Sequence, residues 1–277
     1  MSSKSKTPVV FVHGAFCGGW AWDAFREPFE AAGYETHAPS LPHHERGADL
    51  EALAKSGVQD YCDAIVHYAK GMSAPPILIG HSLGGLIVQM AAMHMPVSAV
   101  VLMASSAPWG VVPMTLDEAG NALGMFLLGD YWSRAIPPDY RAARMNTLDR
   151  LSHEDARRAF ARFVPESGRA VRETMQWWSD ISMATSAPVY KISAPILGIG
   201  GGKDRINSSS TVRRIINRFP AGQGQFKEFP TLSHWMVNEP EYLEVAAFVI
   251  DWLDANARDP SPKRRSSFNL FGFGADA

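Results

Sequence analysis

The sequence predicts an α/β fold, with a mostly parallel central sheet, helices on both faces and a helical insertion. Three observations lead there. Short, wholly apolar runs bounded by turn residues, such as Pro8-Val9-Val10-Phe11-Val12 and Ser98-Ala99-Val100-Val101-Leu102-Met103-Ala104, have the character of strands buried on both faces. These runs alternate with stretches of helical spacing. The alternation stops near Trp109, gives way to a mainly helical pattern, and resumes at Ala194-Pro195-Ile196-Leu197-Gly198-Ile199.

The elements follow in chain order. After the first strand, His13-Gly14-Ala15-Phe16 forms a loop that can bring a backbone amide to developing negative charge. Ala15 is expected to supply that amide, with Phe16 in reserve; an ordinary Gly-rich turn is the alternative. His13 is expected to brace the loop by hydrogen bonding. Trp22, Phe25 and Phe29 are spaced as a helix face before Gly33, and 34–38 reads as a second strand ahead of the turn-rich Pro39-Ser40-Leu41-Pro42. His43-His44-Glu45 could be read as metal ligands, but neighbouring side chains rarely converge on one ion, and an exposed rim is expected instead. A single amphipathic helix is expected over 49–70, carrying Leu50, Leu53, Tyr61, Ile65 and Tyr68.

Pro75-Pro76-Ile77-Leu78-Ile79 then leads into Gly80-His81-Ser82-Leu83-Gly84-Gly85 and a helical pattern through Ile87, Met90 and Ala91. In a G-x-S-x-G turn between strand and helix the serine is strained and exposed, and the residues two before and two after it are crowded unless they lack a Cβ. Ser82 is therefore a candidate nucleophile, and the Leu83 amide at the helix start a second donor to negative charge. A serine that merely caps the helix is the plainer alternative.

Within the insertion, helices are expected over 116–128, 139–151, 155–164 and 166–183, the third preceded by the cap signal Ser152-His153-Glu154-Asp155. Its arginines, among them Arg141, Arg144, Arg157, Arg158 and Arg162, are offset by acids and read as a solvated face. Phe126, Trp132 and Trp177, with Trp235 from beyond it, are candidates to line a substrate pocket, although the insertion's own core competes for such side chains. After the resumed strand, Gly200-Gly201-Gly202-Lys203-Asp204 fails the phosphate-loop pattern because aspartate follows the lysine. Asp204 instead stands just past the end of a parallel strand, where such sheets carry their sites. A helix over 208–219 and a strand over 225–229 precede Thr231-Leu232-Ser233-His234-Trp235, and a closing helix spans 241–255. The expected division is a core of 1–108 and 192–257, a helical lid at 109–191, and a flexible tail at 258–277.

Composition narrows the function classes. The 277 residues are 46% apolar, enough for one large core, and 28 acids against 26 bases leave a formal charge of −2, which disfavours a nucleic-acid partner. No stretch reaches the ~18 apolar residues of a membrane span, and the polar start runs straight into a strand, so a cytoplasmic location is expected. Cys17 and Cys62 lack metal or disulfide-framework spacing and read as buried free thiols. Neither a metal nor a cofactor is implied, and oligomeric state leaves no mark in the sequence.

Ser82, Asp204 and His234 thus stand in the order nucleophile, acid, base, each at the C-terminal side of a predicted parallel strand. A serine hydroxyl needs an imidazole to take its proton, and a carboxylate fixes the imidazole's tautomer and stabilises its charge. From Phe11-Val12-His13-Gly14 through Gly80-His81-Ser82-Leu83-Gly84-Gly85 and Asp204 to His234, the chain resembles the α/β-hydrolase superfamily. Its His13-Gly14-Ala15, Gly19-Trp20-Ala21-Trp22 and Ala31-Ala32-Gly33-Tyr34 look like the branch of plant methylesterases and hydroxynitrile lyases. The resemblance implies an α/β-hydrolase fold and a serine esterase with a helical lid, acting on a small-molecule substrate through an acyl-enzyme. Balanced charge in the insertion points to neutral, moderately apolar esters. The lyases typically carry threonine and lysine where this chain has Gly14 and Trp235, which disfavours that activity, and superfamily members with an aspartate nucleophile are disfavoured by Ser82. A cofactor-free perhydrolase, a C–C bond hydrolase and a small-ligand receptor of this fold are the alternatives.

Overall fold

Short strands buried on both faces organise the molecule, for which a computed structural model describes residues 6–112, 115–120 and 129–257. Six strands, β1 (Val9–Val12), β2 (Thr36–His37), β3 (Ile77–His81), β4 (Ala99–Met103), β7 (Ile196–Gly201) and β8 (Gly224–Phe229), form a sheet in the order β2-β1-β3-β4-β7-β8. Every pairing is parallel, as in Phe11 opposite Ile79 and Ile79 opposite Val101. Successive side chains on a strand point to opposite faces. Val9 and Phe11, Ile77 and Ile79, and Val101 and Met103 accordingly join one apolar cluster with Phe25 and Phe29 of α1 (Asp23–Ala31) and Val245 and Val249 of α9 (Tyr242–Asn256). Val10 and Val12, Leu78, and Val100 and Leu102 join the other, with Tyr61, Ile65, Leu86 and Ile215. Those partners lie on α3 (Val58–Lys70), α4 (Leu83–Ala91) and α8 (Ser209–Ile216).

The chain leaves β1 outward to β2 and returns to β3 on its other side, so strand order reverses between β1 and β3. A crevice opens at the carboxyl ends of strands at such a reversal. The 13–16 loop follows β1 and Ser82 follows β3, which places both at that crevice.

Two expected elements differ. The helix expected over 49–70 is broken into α2 (Leu50–Lys55) and α3, because Ser56 and Gly57 are extended and the exposed backbone is claimed by other groups. The Gly57 amide donates to Asp60 and the Val58 amide to Glu173, while the Ser56 carbonyl accepts from Ser167 Oγ.

The insertion between β4 and β7 is not all helical. Tyr131–Ser133 is a short 3-10 turn, and β5 (Ala135–Ile136) pairs antiparallel with β6 (Glu166–Ser167). Its helices α5 (Tyr140–Asn146), α6 (His153–Phe160) and α7 (Gly168–Met175) are shorter than periodicity suggested. Asp139, Ser152 and Ser167 cap them by accepting an amide of the first turn. Leu148 and Ala156 pack into the first sheet cluster and Ala170 into the second, so the insertion rests on both faces of the core. Phe126, most of the expected 116–128 helix and the 258–277 tail lie outside the described residues.

Candidate active site

Ser82 stands between β3 and α4 with φ +53° and ψ −120°, the strained turn that the glycine spacing requires. A Cβ on Gly80 would strike the Gly84 carbonyl, and one on Gly84 would strike the carbonyls of Val12 and His13, so both positions hold the turn against β1. The Ser82 amide donates to the Met103 carbonyl of β4 at 2.9 Å, and its side chain makes no capping bond to α4. That hydroxyl instead lies 3.0 Å from His234 Nε2.

His234 follows Leu232 and Ser233 on the loop after β8, and its Nδ1 donates to Asp204 Oδ2 at 2.9 Å. The second Asp204 oxygen accepts the amides of Ile206 and Asn207 at 2.8 and 3.0 Å, which fixes the carboxylate's direction at the end of β7. Proton placement follows from these partners: Nδ1 carries the hydrogen and Nε2 is free to accept one from Ser82. All three residues are buried. His81, beside the serine, donates from Nε2 to the His234 backbone carbonyl at 2.8 Å and ties this loop to the turn. Burial, with the neighbouring His234, pushes its imidazole down to about 3, so it remains neutral.

The 13–16 loop meets the serine closely, since a Cβ on Gly14 would sit 3.0 Å from the Ser82 Cβ and 3.1 Å from His81 Nδ1. The amides of Ala15 and Leu83 have no acceptor among the described residues. Phe16, the reserve donor, is corrected here, because its amide is spent on Glu166 Oε2 at 3.2 Å. His13 does brace the loop: Nδ1 donates to the Gly14 carbonyl at 2.8 Å and Nε2 accepts the Leu41 amide at 2.9 Å.

A cavity of about 460 Å³ opens over Ser82, and His234, Leu83 and Ala15 also border it. Residues of α5 and α7 and Phe163 of the insertion line it as well, beside Ile206, Asn207 and Thr211 of the core. Trp177 and Trp235 line it. Trp132 does not; it is 38% exposed, beside Tyr131 and under the Arg172 guanidinium at 5.1 Å, and that cation contact keeps it on the surface. Its acidic lining residues are Glu118, which accepts the Ser208 amide, and the α5 cap Asp139; no lysine or arginine lines it among the described residues.

Cys17 and Cys62 are buried free thiols, and burial pushes both away from the thiolate, Cys62 to about 12. Among the described residues no three His, Cys, Asp or Glu side chains are arranged to hold a metal, and no helix is long and apolar enough to cross a membrane.

Sequence reasoning missed a buried group beside the loop. His44, expected on an exposed rim, is buried, with Nδ1 on the Pro42 carbonyl and Nε2 on Glu166 Oε2, each at 2.9 Å. The turn-rich stretch before it suggested solvent, but its partner stands 122 positions away on β6.

The comparisons with known proteins agree with this architecture. A pyrethroid hydrolase of Sphingobium wenxiniae is 33% identical over 119 residues, 42% of this chain and 42% of the relative. Salicylic acid-binding protein 2 of Nicotiana tabacum is 35% identical over 110 residues, 38% of this chain and 42% of that one. Each match thus spans less than half of the relative's length. The solved structure of an Arabidopsis methylesterase superposes with a TM-score of 0.67 at 18% identity, covering 90% of this chain and 99% of the other. The model of the alpha/beta hydrolase family matches residues 9–248, nearly the whole described core with its insertion, and the chain belongs to that family.

Proposed function

We propose that the protein is a serine esterase that cleaves neutral, moderately apolar esters through an acyl-enzyme on Ser82. The hydrogen-bonded chain from Ser82 Oγ to His234 to Asp204, at 3.0 and 2.9 Å, carries this reading. Ser82 Oγ attacks the ester carbonyl carbon, its proton passes to His234 Nε2, and the carbonyl π pair moves onto oxygen. The free amides of Ala15 and Leu83 receive that oxyanion. Collapse breaks the carbonyl–alkoxide bond, with His234 returning the proton to the departing alcohol, and water repeats the sequence to release the acid. Asp204 keeps the imidazole in the required tautomer and balances its transient charge.

Substrate class is supported by the cavity. Its mostly apolar walls, without lysine or arginine among the described residues, suit an uncharged acyl or alcohol group rather than an anionic one. Relatives named as a pyrethroid hydrolase and as methylesterases are in keeping with that chemistry. Residues 109–191 act as the lid over a core of 1–108 and 192–257, and two free thiols fit a reducing, cytoplasmic setting.

Treatment with a fluorophosphonate followed by mass spectrometry should place a single adduct on Ser82, and a chromogenic ester should show burst release. Labelling elsewhere with Ser82 untouched ends the mechanism, and binding without turnover would favour a receptor.

A further inference from the structure

A carboxylate with no exposed surface lies behind the loop that faces Ser82. Glu166, on β6 of the insertion, accepts four hydrogen bonds. Oε1 takes Tyr61 OH at 2.8 Å and the Ser167 amide at 2.7 Å; Oε2 takes His44 Nε2 at 2.9 Å and the Phe16 amide at 3.2 Å. His44 donates from both ring nitrogens, to Glu166 and to the Pro42 carbonyl, which requires the imidazolium form. Burial works against its charge, but the adjacent carboxylate outweighs this and raises its pKa, while burial of Glu166 is likewise overcome by His44 and by its hydrogen bonds. The pair is thus an anion and a cation that cancel.

What this group holds follows from peptide geometry. The carbonyl and amide of a trans peptide point in opposite directions. The Gly14 carbonyl is held by His13 Nδ1, so the Ala15 amide of the same peptide points away from His13. The next peptide is held from its other end, by Glu166 on the Phe16 amide, with Phe16 in the left-handed region at φ +63°. Two successive peptide planes are therefore clamped, one by a neutral histidine of the loop and one by the insertion. His13 stays neutral because burial pushes it down to about 3, and its ring lies 5.2 Å from that of His44.

We propose that Glu166 is a positioning residue for the oxyanion loop: charge-balanced by His44, its carboxylate takes the Phe16 amide and leaves the Ala15 amide as the loop's donor to the reacting carbonyl oxygen. The insertion thereby sets the catalytic loop as well as lining the cavity. The proposal rests on the reading of Ser82 as an acylated nucleophile.

Glu166→Gln tests it, because glutamine keeps the size but loses the charge and one acceptor. With p-nitrophenyl acetate, kcat/KM should fall tenfold or more. An alkyl trifluoromethyl ketone, which forms a hemiketal oxyanion on the serine, should bind more weakly by a similar factor, while the matching methyl ketone binds unchanged. A folded E166Q protein with kcat/KM and trifluoromethyl ketone affinity within twofold of wild type overturns the proposal and leaves the serine mechanism standing. Equal weakening of both ketones also overturns it, since that is a change of pocket shape. Should E166Q not fold, the same measurements pass to His44→Gln, which leaves the carboxylate without its cation; wild-type values there overturn the proposal. A wild-type enzyme that the fluorophosphonate does not label at Ser82 removes the underlying mechanism, and the proposal with it.

Discussion

The sheet and the insertion hold their functional residues in different ways. Ser82, Asp204 and His234 stand at strand ends where backbone groups fix them: the Met103 carbonyl accepts the Ser82 amide, the amides of Ile206 and Asn207 hold Asp204, and His81 reaches the His234 carbonyl. The insertion is joined to the core by paired polar side chains. Glu166 meets His44 and Tyr61, Ser233 Oγ donates to Asp149, and Arg150 lies 2.8 Å from Glu239, whose carboxylate accepts the Ser233 amide just before His234. Apolar exposure follows the same division: Trp178, Ile181 and Tyr190 of the insertion are exposed, whereas the strands of β1, β3 and β4 are wholly buried. Backbone groups thus position the residues at the strand ends, whereas side-chain pairs join the insertion to the core.

The largest effect belongs to the sheet ends. Ser82→Ala and His234→Ala should each lower kcat by roughly four or more orders of magnitude with little change in melting temperature, because members of such a unit fail together. Asp204→Asn should cost on the order of 10²–10⁴ in kcat through the wrong imidazole tautomer. Near-normal activity in D204N would show that another acid orients His234.

The same division explains what the sequence disclosed. Apolar runs and glycine spacing identify β1, β3, β4 and β7 and bring Ser82, Asp204 and His234 to one edge, because those signals are local in the chain and each strand is buried whatever follows it. The break at Ser56 and Gly57 had only a weak local mark, the Ser-Gly pair with Asp60 three residues on, and its other partners, Glu173 and Ser167, lie on the insertion. His44 and Glu166 escaped for the same reason: a buried ion pair between distant residues has no periodicity. Trp132 shows the converse, a large aromatic that reads as lining but is held outside by Arg172.

That contrast between tryptophans gives a smaller effect. Trp177 lines the cavity and Trp132 does not, although both lie in the insertion. Trp177→Ala should change the ratio of kcat/KM between short and long acyl esters by about tenfold, near the lower end of the effect of one methylene in an apolar pocket. Trp132→Ala should leave the ratio within twofold. If both variants leave it fixed, selectivity belongs to the sheet-edge loops rather than to the insertion.

The smallest effect comes from single protons, and its sign depends on whether burial or a charged neighbour governs each group. His13 and His81 at the sheet ends are buried and pushed from 6.5 to about 3. Below pH 6.5 the unfolded chain takes up protons that the folded one refuses, so these two lower stability as pH falls. Glu239, raised by burial from 4.5 to about 7, opposes them, because between those values the folded state holds the extra proton. The net is about one proton, or ~1.4 kcal/mol per pH unit. His44 acts on the alkaline side: raised above 6.5 by Glu166, it stabilises the fold fully below that value, and its contribution is lost as pH rises through its folded pKa. Glu166 itself, held below 4.5, adds a loss only at acid pH. Melting temperature should therefore peak near pH 6.5 and fall by roughly 3–6 °C per pH unit on the acid side. His44→Gln should remove this residue's share of the alkaline fall and also shift the acid limb, because His44 holds Glu166 down and adds to burial in holding His13 down, while His81→Gln should flatten the acid limb. An H44Q protein with an unchanged alkaline limb would mean that the His44–Glu166 pair is not charged in the folded state, and that the insertion is held to the oxyanion loop by neutral hydrogen bonds.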